Sequence, residues 1–368
     1  MRKIFKKIHL WLAVPLGVFV VIICITGAIM VFETDITEML SPSLYKVENV
    51  GSKRLNPSEL LDKVNAQTGG QWTVSSIEYS SKANGTARIS YREKGKEQLF
   101  VDPYTGQVKG WGSTPAFFST VKKLHRWLLD APSSKEGGSV GRYWIGFVAM
   151  AMSVILISGL LIWIPLNRKM LPMRLKVATG KGRRRFFYDS HVALGFYALL
   201  FLLTMSLTGP TWSFPWYRTA FYAVFGVSQQ TGSAPASAVT SGKQQDAVDF
   251  RVWDKAVESA SALYPGKCGM TVEKGKVKVT VSELITRRQD VVNFDENGNV
   301  VAVEKYADQP KSSKIRAWIL AFHSGQWGGI WVKFLYFFAA LIGASLPITG
   351  YYIWLKKKLA LQKKPSTR

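Results

Sequence analysis

Histidine is nearly missing from this 368-residue chain, which has four. Cysteine is rarer still: Cys24 lies in an apolar run and Cys268 in a polar stretch. Two such residues cannot staple a small secreted domain or ligate a zinc finger. Acidic side chains number 24 against 48 Lys and Arg, a net charge of +24. No Gly-x-Gly-x-x-Gly and no Walker A pattern occurs, so neither a nicotinamide-binding domain nor an ATPase is built in. What is abundant is apolar: 47% of the chain is hydrophobic, with 13 Trp, 14 Tyr and 20 Phe. That excludes a disordered chain and is too greasy for an ordinary soluble domain pair.

A helix needs about 20 mostly apolar residues to cross a bilayer core. Residues 10–32, 144–164, 192–208 (extended towards Trp212) and 330–355 qualify, and their only charged side chain is Lys333. The first resembles a signal peptide in its basic flank but runs into Val31, Phe32, Glu33 and Thr34 without a small-x-small cleavage site, so it is read as retained. Residues 1–8, 166–190 and the tail after Leu355 hold 18 basic residues against Asp189 alone, or +17 of the +24. The positive-inside rule puts these flanks, and with them both termini, in the cytoplasm. The charge therefore marks a membrane face and does not signal nucleic-acid binding.

The two long polar connections then lie outside and read as small α+β modules. In the first, residues 58–68 have helical spacing and residues 73–79, 87–91 and 98–101 read as strands, followed by the turn Asp102-Pro-Tyr-Thr-Gly106. The second has a helical pattern over 253–263, strands at 276–281 and 290–294, and a turn ending at Gly298. A Ser/Ala/Gly-rich stretch over 228–243 reads as a linker.

The chain also repeats itself. His9 precedes the glycine of Thr26-Gly27 by 18 residues, and His191 precedes that of Thr208-Gly209 by the same interval. Ser158-Gly159 with Trp163 matches Thr349-Gly350 with Trp354. Two spans per copy keep the orientation, which implies a pseudo-two-fold axis along the membrane normal. Before the second span of each copy, residues 117–129 and 315–322 form amphipathic faces, read as helices at the outer interface, and these carry Leu124-His125 and Phe322-His323. The axis brings His9 opposite His191 and His125 opposite His323, one pair at each membrane face.

Paired imidazoles from facing helices can hold a haem iron. A haem suits a greasy slot, and Ala13 and Gly195, one turn after the inner histidines, are small enough to admit a flat ring. Arg126, with Lys122 and Lys123, could meet outer propionates, and the run 183–185 inner ones. No Cys-x-x-Cys-His occurs, so a haem here would be non-covalent and b-type. One histidine near a helix end is commonly a plain interfacial side chain; four of four, paired by a repeat, argue for ligation. Zinc lacks a third ligand at these places. The Thr-Gly steps could equally be helix-packing devices, and the arginine run could be only a topology signal.

His9 with the span ending Thr26-Gly27, Leu124-His125-Arg126-Trp127, Asp189-Ser-His191 leading to Leu194-Gly195, His323-Ser-Gly325 and Val101-Asp102-Pro-Tyr-Thr-Gly106 together resemble the PepSY-associated transmembrane proteins of bacteria. The resemblance covers nearly the whole chain. It implies four spanning helices with periplasmic PepSY modules, and activity as an inner-membrane di-haem reductase of ferric siderophores or chelated iron. It further implies His9 and His191 on an inner haem and His125 and His323 on an outer one, each haem bis-histidine.

The sequence is therefore read as a mainly α membrane protein: spans at 1–32, 144–164, 191–212 and 330–355, polar modules at 33–115 and 213–311, interfacial helices at 116–130 and 312–326, and cytoplasmic segments at 165–190 and 356–368. Its expected role is a bacterial cytoplasmic-membrane oxidoreductase. The expected partners are the bilayer, a ferric siderophore or chelated iron, and a separate electron donor such as a quinol or flavoprotein. The rival reading is a non-enzymatic anchor whose modules bind a peptide or protein. A transporter is disfavoured because the spans carry no acid and no obviously broken helix.

Overall fold

The computed structural model describes residues 1–132, 138–227, 249–266, 269–282 and 288–362. The whole of the expected linker, Cys268 and the end of the basic tail lie outside the described residues. Helices follow in the order α1 Arg2–Val31, α2 Glu33–Leu40, α3 Pro42–Tyr45, α4 Pro57–Thr68, α5 Ala116–Trp127, α6 Val140–Trp163, α7 Leu171–Arg174, α8 Arg183–Thr208, α9 Pro215–Val224, α10 Phe250–Leu263, α11 Lys311–Ser324 and α12 Gly329–Gln362. Strands are β1 Val74–Tyr79, β2 Ala87–Tyr91, β3 Gln98–Val101, β4 Val108–Gly112, β5 Met270–Glu273, β6 Lys276–Thr280, β7 Gln289–Phe294 and β8 Val300–Glu304. The chain forms two compact units, one of residues 1–33, 116–228 and 318–368, the other of residues 34–115 and 229–317.

The first unit is built on α1, α6, α8 and α12, which among the described residues are the four helices long and apolar enough to cross a membrane. Helices α1 and α8 begin earlier than their apolar runs, because the basic residues before them continue the same helix. His9 and His191 consequently lie inside helices, not at their starts. Leu16, Val20, Val148, Met152, Leu156, Leu202 and Ala344 fill the centre. Small residues let backbones approach, since lipid supplies no hydrophobic drive between helices. A Cβ on Gly17 of α1 would overlap the Tyr351 hydroxyl of α12, and one on Gly343 would come within 2.7 Å of Leu202. Tyr351 donates to the Val14 carbonyl at 2.6 Å, close to Pro15, which α1 tolerates without breaking. Helix α9, which sequence assigned to the second polar module, folds with this unit.

The second unit is a single antiparallel sheet in the order β4-β3-β2-β1-β5-β6-β7-β8. Strand β1 pairs with β5, so the two halves of the unit share their hydrogen-bond ladder. Helices α4 and α10 contribute Leu60, Leu61, Val64, Trp253, Ala256 and Ala260 to a core with Ile77, Ile89, Leu99, Val272, Val277 and Val292. The Ser58 backbone N–H donates to Asp254 at 2.8 Å, tying the start of α4 to α10, and the Ser58 hydroxyl donates to the same carboxylate. Asp102 accepts from the backbone of Tyr104 and Thr105, and Gly106 takes φ +78°, as the turn sequence requires.

Candidate functional site

Every histidine in the chain meets the same kind of neighbour. His9 of α1 sets its Nδ1 3.0 Å from the Ile155 carbonyl and 3.3 Å from Ser158 Oγ on α6. His125 of α5 sets Nδ1 3.1 Å from the Ile23 carbonyl and 3.0 Å from Thr26 Oγ1 on α1. His191 of α8 meets the Leu346 carbonyl at 3.1 Å and Thr349 Oγ1 at 3.0 Å on α12. His323 of α11 meets the Met205 carbonyl at 3.1 Å and Thr208 Oγ1 at 3.0 Å on α8. A carbonyl only accepts, so the proton sits on Nδ1 and the lone pair on Nε2. Each hydroxyl itself donates back to a carbonyl of its own helix, which leaves it free to accept from the imidazole.

Beside each hydroxyl stands a glycine, and the imidazole occupies the room a side chain would take. A Cβ would lie 3.3 Å from His125 Cε1 at Gly27, 3.3 Å from His9 Cε1 at Gly159, 3.5 Å from His191 Cε1 at Gly350 and 3.6 Å from His323 Cε1 at Gly209. The carbonyl that accepts from Nδ1 belongs to the residue four before the glycine in all four cases. The unit is therefore apolar-x-x-Ser/Thr-Gly, one helical turn that presents a carbonyl, a hydroxyl and a bare surface to a single ring.

These cradles bring the histidines together in pairs. The ring centres of His9 and His191 are 6.4 Å apart with planes at 86°, and those of His125 and His323 are 6.3 Å apart at 64°. Two imidazoles bound through one nitrogen each to a shared metal, at about 2.0–2.1 Å, have ring centres no more than roughly 6.5 Å apart, so both pairs lie within reach of a single metal between them. Along α1, His9 and the Thr26 that holds His125 are separated by 17 residues, or about 25 Å at ~1.5 Å per residue. The pairs thus lie at opposite ends of the helical unit. Among the described residues no cluster of three or more His, Cys, Asp or Glu occurs. Each pair presents two imidazole nitrogens, a donor set that would suit a metal arriving with further ligands of its own. Burial pushes the His125 and His323 imidazoles down, to about 4 and about 3, which keeps them neutral at ordinary pH.

The other residues singled out from sequence divide. Arg126 lies next to His125 in the chain, exposed, with its guanidinium 4.5 Å above the Trp127 ring and free of any carboxylate among the described residues. Lys122 is committed to Glu33 at 2.9 Å. Of the arginine run, Arg185 is committed to the buried Asp189 at 2.8 Å, while Arg183 and Arg184 remain exposed. Gly195 faces Leu346 of α12, with 3.4 Å available to a Cβ. Trp212, unremarked in the sequence except as the end of a span, packs against His323 with ring centres 5.0 Å apart.

Compared with known proteins, residues 6–357 match the family model described as the PepSY-associated TM region. A search of curated protein sequences gives no significant match.

Proposed function

For a chain that belongs to the PepSY-associated transmembrane family, we propose the role of a di-haem b oxidoreductase of the bacterial cytoplasmic membrane, delivering electrons from the cytoplasmic side to ferric siderophore or chelated iron in the periplasm. The observation that carries this reading is the pair of imidazole sites, with ring centres 6.4 and 6.3 Å apart and every Nδ1 engaged. When bound, each haem supplies a one-electron redox centre.

His9 and His191 would hold the group near the cytoplasmic face, and His125 and His323 the one near the periplasm. The hydroxyls of Ser158, Thr26, Thr349 and Thr208 fix the tautomer and the direction of each ring, which raises the basicity of the ligating nitrogen. Arg126, next to His125 in the chain and over the Trp127 ring, would be the cation for a carboxylate at the outer pair. The same cradle occurring at four points supports the reading of the chain as two copies of one unit. Basic residues at the start of α1, around α7 and at the end of α12 support the assignment of that end to the cytoplasm. The electron donor would be a quinol or a flavoprotein. Reduction favours release because ferrous iron is a less charged, softer partner for hard oxygen chelators.

The test is vectorial. In proteoliposomes with a reductant trapped inside and a ferric hydroxamate chelate outside, a membrane-impermeant ferrous indicator should develop colour, and should not do so with His125→Ala or His323→Ala protein. Equal rates from all three preparations contradict the proposal.

A second reading has one observation in its favour. Edge strand β8 is exposed along its whole length, with Val301 at 68%, and could take an added strand from a peptide. As the protein's sole function it predicts unchanged peptide binding and an unchanged cellular phenotype when all four histidines are replaced.

A further inference from the structure

The two outer histidines are not equivalent. After Thr208 the chain leaves α8 in a 3₁₀ turn, Gly209–Trp212, whose backbone is fixed from several sides. The Thr211 hydroxyl donates to the Thr208 carbonyl at 2.6 Å, and the backbone N–H groups of Ser213 and Phe214 both donate to the Pro210 carbonyl. From the first turn of α6, Arg142 donates through Nε at 2.9 Å, and also through Nη2, to the Trp212 carbonyl. Gly146, one turn further along α6, leaves the space that Ser213 and Phe214 fill. So anchored, the Trp212 indole stands nearly upright on the His323 ring, with centres 5.0 Å apart and planes at 71°. The residue four after Thr26, as Trp212 is four after Thr208, is Met30.

We infer that Trp212 is a positioning residue that fixes the plane of the His323 imidazole, and that Arg142 acts through it by fixing the indole. The Thr208 hydroxyl and the Met205 carbonyl hold His323 at Nδ1, on one edge of the ring, and the only other anchor is the covalent one at Cβ, so small changes of χ1 and χ2 within the tolerance of those hydrogen bonds still tilt the Nε2 edge. An edge-to-face aromatic contact resists that tilt and is worth about 0.5–1.5 kcal/mol beyond area burial. Met30 is a flexible thioether chain, adaptable where the indole is rigid. Among the described residues the one ring paired with His125 is that of His323 itself, whereas His323 also carries the indole, so the two outer imidazoles are held differently. This rests on the reading of the histidines as haem ligands and adds to it a cause for a difference between the two imidazoles of the outer pair.

The experiment uses full-length protein isolated with its haems. Haem content is measured together with the ferric low-spin electron paramagnetic resonance spectrum, and the outer signal is identified as the one that survives in His191→Ala. Trp212→Leu should keep two haems per chain while shifting the outer signal and leaving the inner one in place. Trp212→Phe, which retains an aromatic ring, should keep the outer signal at or near its wild-type position. Arg142→Gln should shift the same signal in the same direction, and it keeps the test open should the leucine variant fail to assemble. Unchanged spectra in Trp212→Leu and Arg142→Gln, or equal shifts of both signals, overturn the inference while the haem reading stands. Wild-type protein without haem overturns both.

Discussion

Thr26 and His125 are 99 residues apart in the chain, and Thr26 Oγ1 lies 3.0 Å from His125 Nδ1. The contact joins α1, near whose other end His9 sits, to the histidine of the opposite site. One helix therefore serves both sites, giving a histidine to one pair and a cradle to the other. Helix α8 does the same with His191 and Thr208.

Removing a cradle hydroxyl without changing its shape should loosen a single site. Thr26→Val or Thr208→Val is expected to lower haem affinity at the outer pair by about 10–100-fold, the usual cost of losing a partner behind a metal-ligating histidine. Haem transfer to an apo-protein acceptor, followed by absorbance, should show one of two haems leaving faster. Equal loss of both haems would mean that the hydroxyls act on general stability.

The cradle glycines should differ in tolerance. At Gly27 and Gly159 a Cβ meets an imidazole carbon at 3.3 Å, tighter than ordinary contact; at Gly350 and Gly209 it has 3.5 and 3.6 Å. Gly27→Ala and Gly159→Ala are therefore expected to weaken one haem each, whereas Gly350→Ala and Gly209→Ala should stay near wild type. Leucine at any of the four should reduce the haem count from two per chain to one. Haem-to-protein ratios of purified variants decide this.

Much of this site was legible in the sequence because its parts are rare or strictly spaced. Four histidines allow only a few pairings, and the 18-residue interval from His9 to Gly27 recurs from His191 to Gly209. The meaning of that interval was not legible. It measures the distance along one helix between two different sites, and the glycine that receives His9 is Gly159 of α6. Packing was an equally good reason for a Ser/Thr-Gly step, and only the position of the ring across the helix interface separates the two. The strands that escaped notice had local reasons. Strand β4 carries Gly110 and Gly112, β5 is four residues long, and β8 is exposed at every position and so lacks the alternation of a half-buried strand. That β1 and β5 join both modules in one sheet depends on a pairing about 200 residues apart in sequence, which no local pattern encodes.

Helices α1 and α12 meet where Gly17 lies against Tyr351. Gly17→Leu should push them apart and lower the thermal stability of the solubilised protein, at about 1–3 kcal/mol for overpacking of this kind. Gly17→Ala should cost less only if the Tyr351 hydroxyl can leave the Val14 carbonyl. Melting curves of both variants against wild type are the readout, and unchanged curves would contradict the close packing.

The joint between the two halves of the sheet unit depends on Asp254. Its carboxylate takes both the backbone N–H and the hydroxyl of Ser58, so Asp254→Ala leaves the start of α4 without its partner on α10. A hydrogen bond to a charged group is worth about 1.5–3 kcal/mol. Hydrogen exchange on the full-length variant should speed up in α4, α10 and the β1–β5 ladder while the long helices keep their protection. Faster exchange throughout would point to global unfolding instead.

The most direct test of the two imidazole pairs is haem stoichiometry from the absorption spectrum of the purified chain, recorded as the pyridine haemochrome. Two b-type haems per chain are expected for the wild type, one for His9→Ala, one for His125→Ala and none for the double variant. No Soret band in the wild type, or a haem content unchanged in the double variant, contradicts the assignment of these histidines.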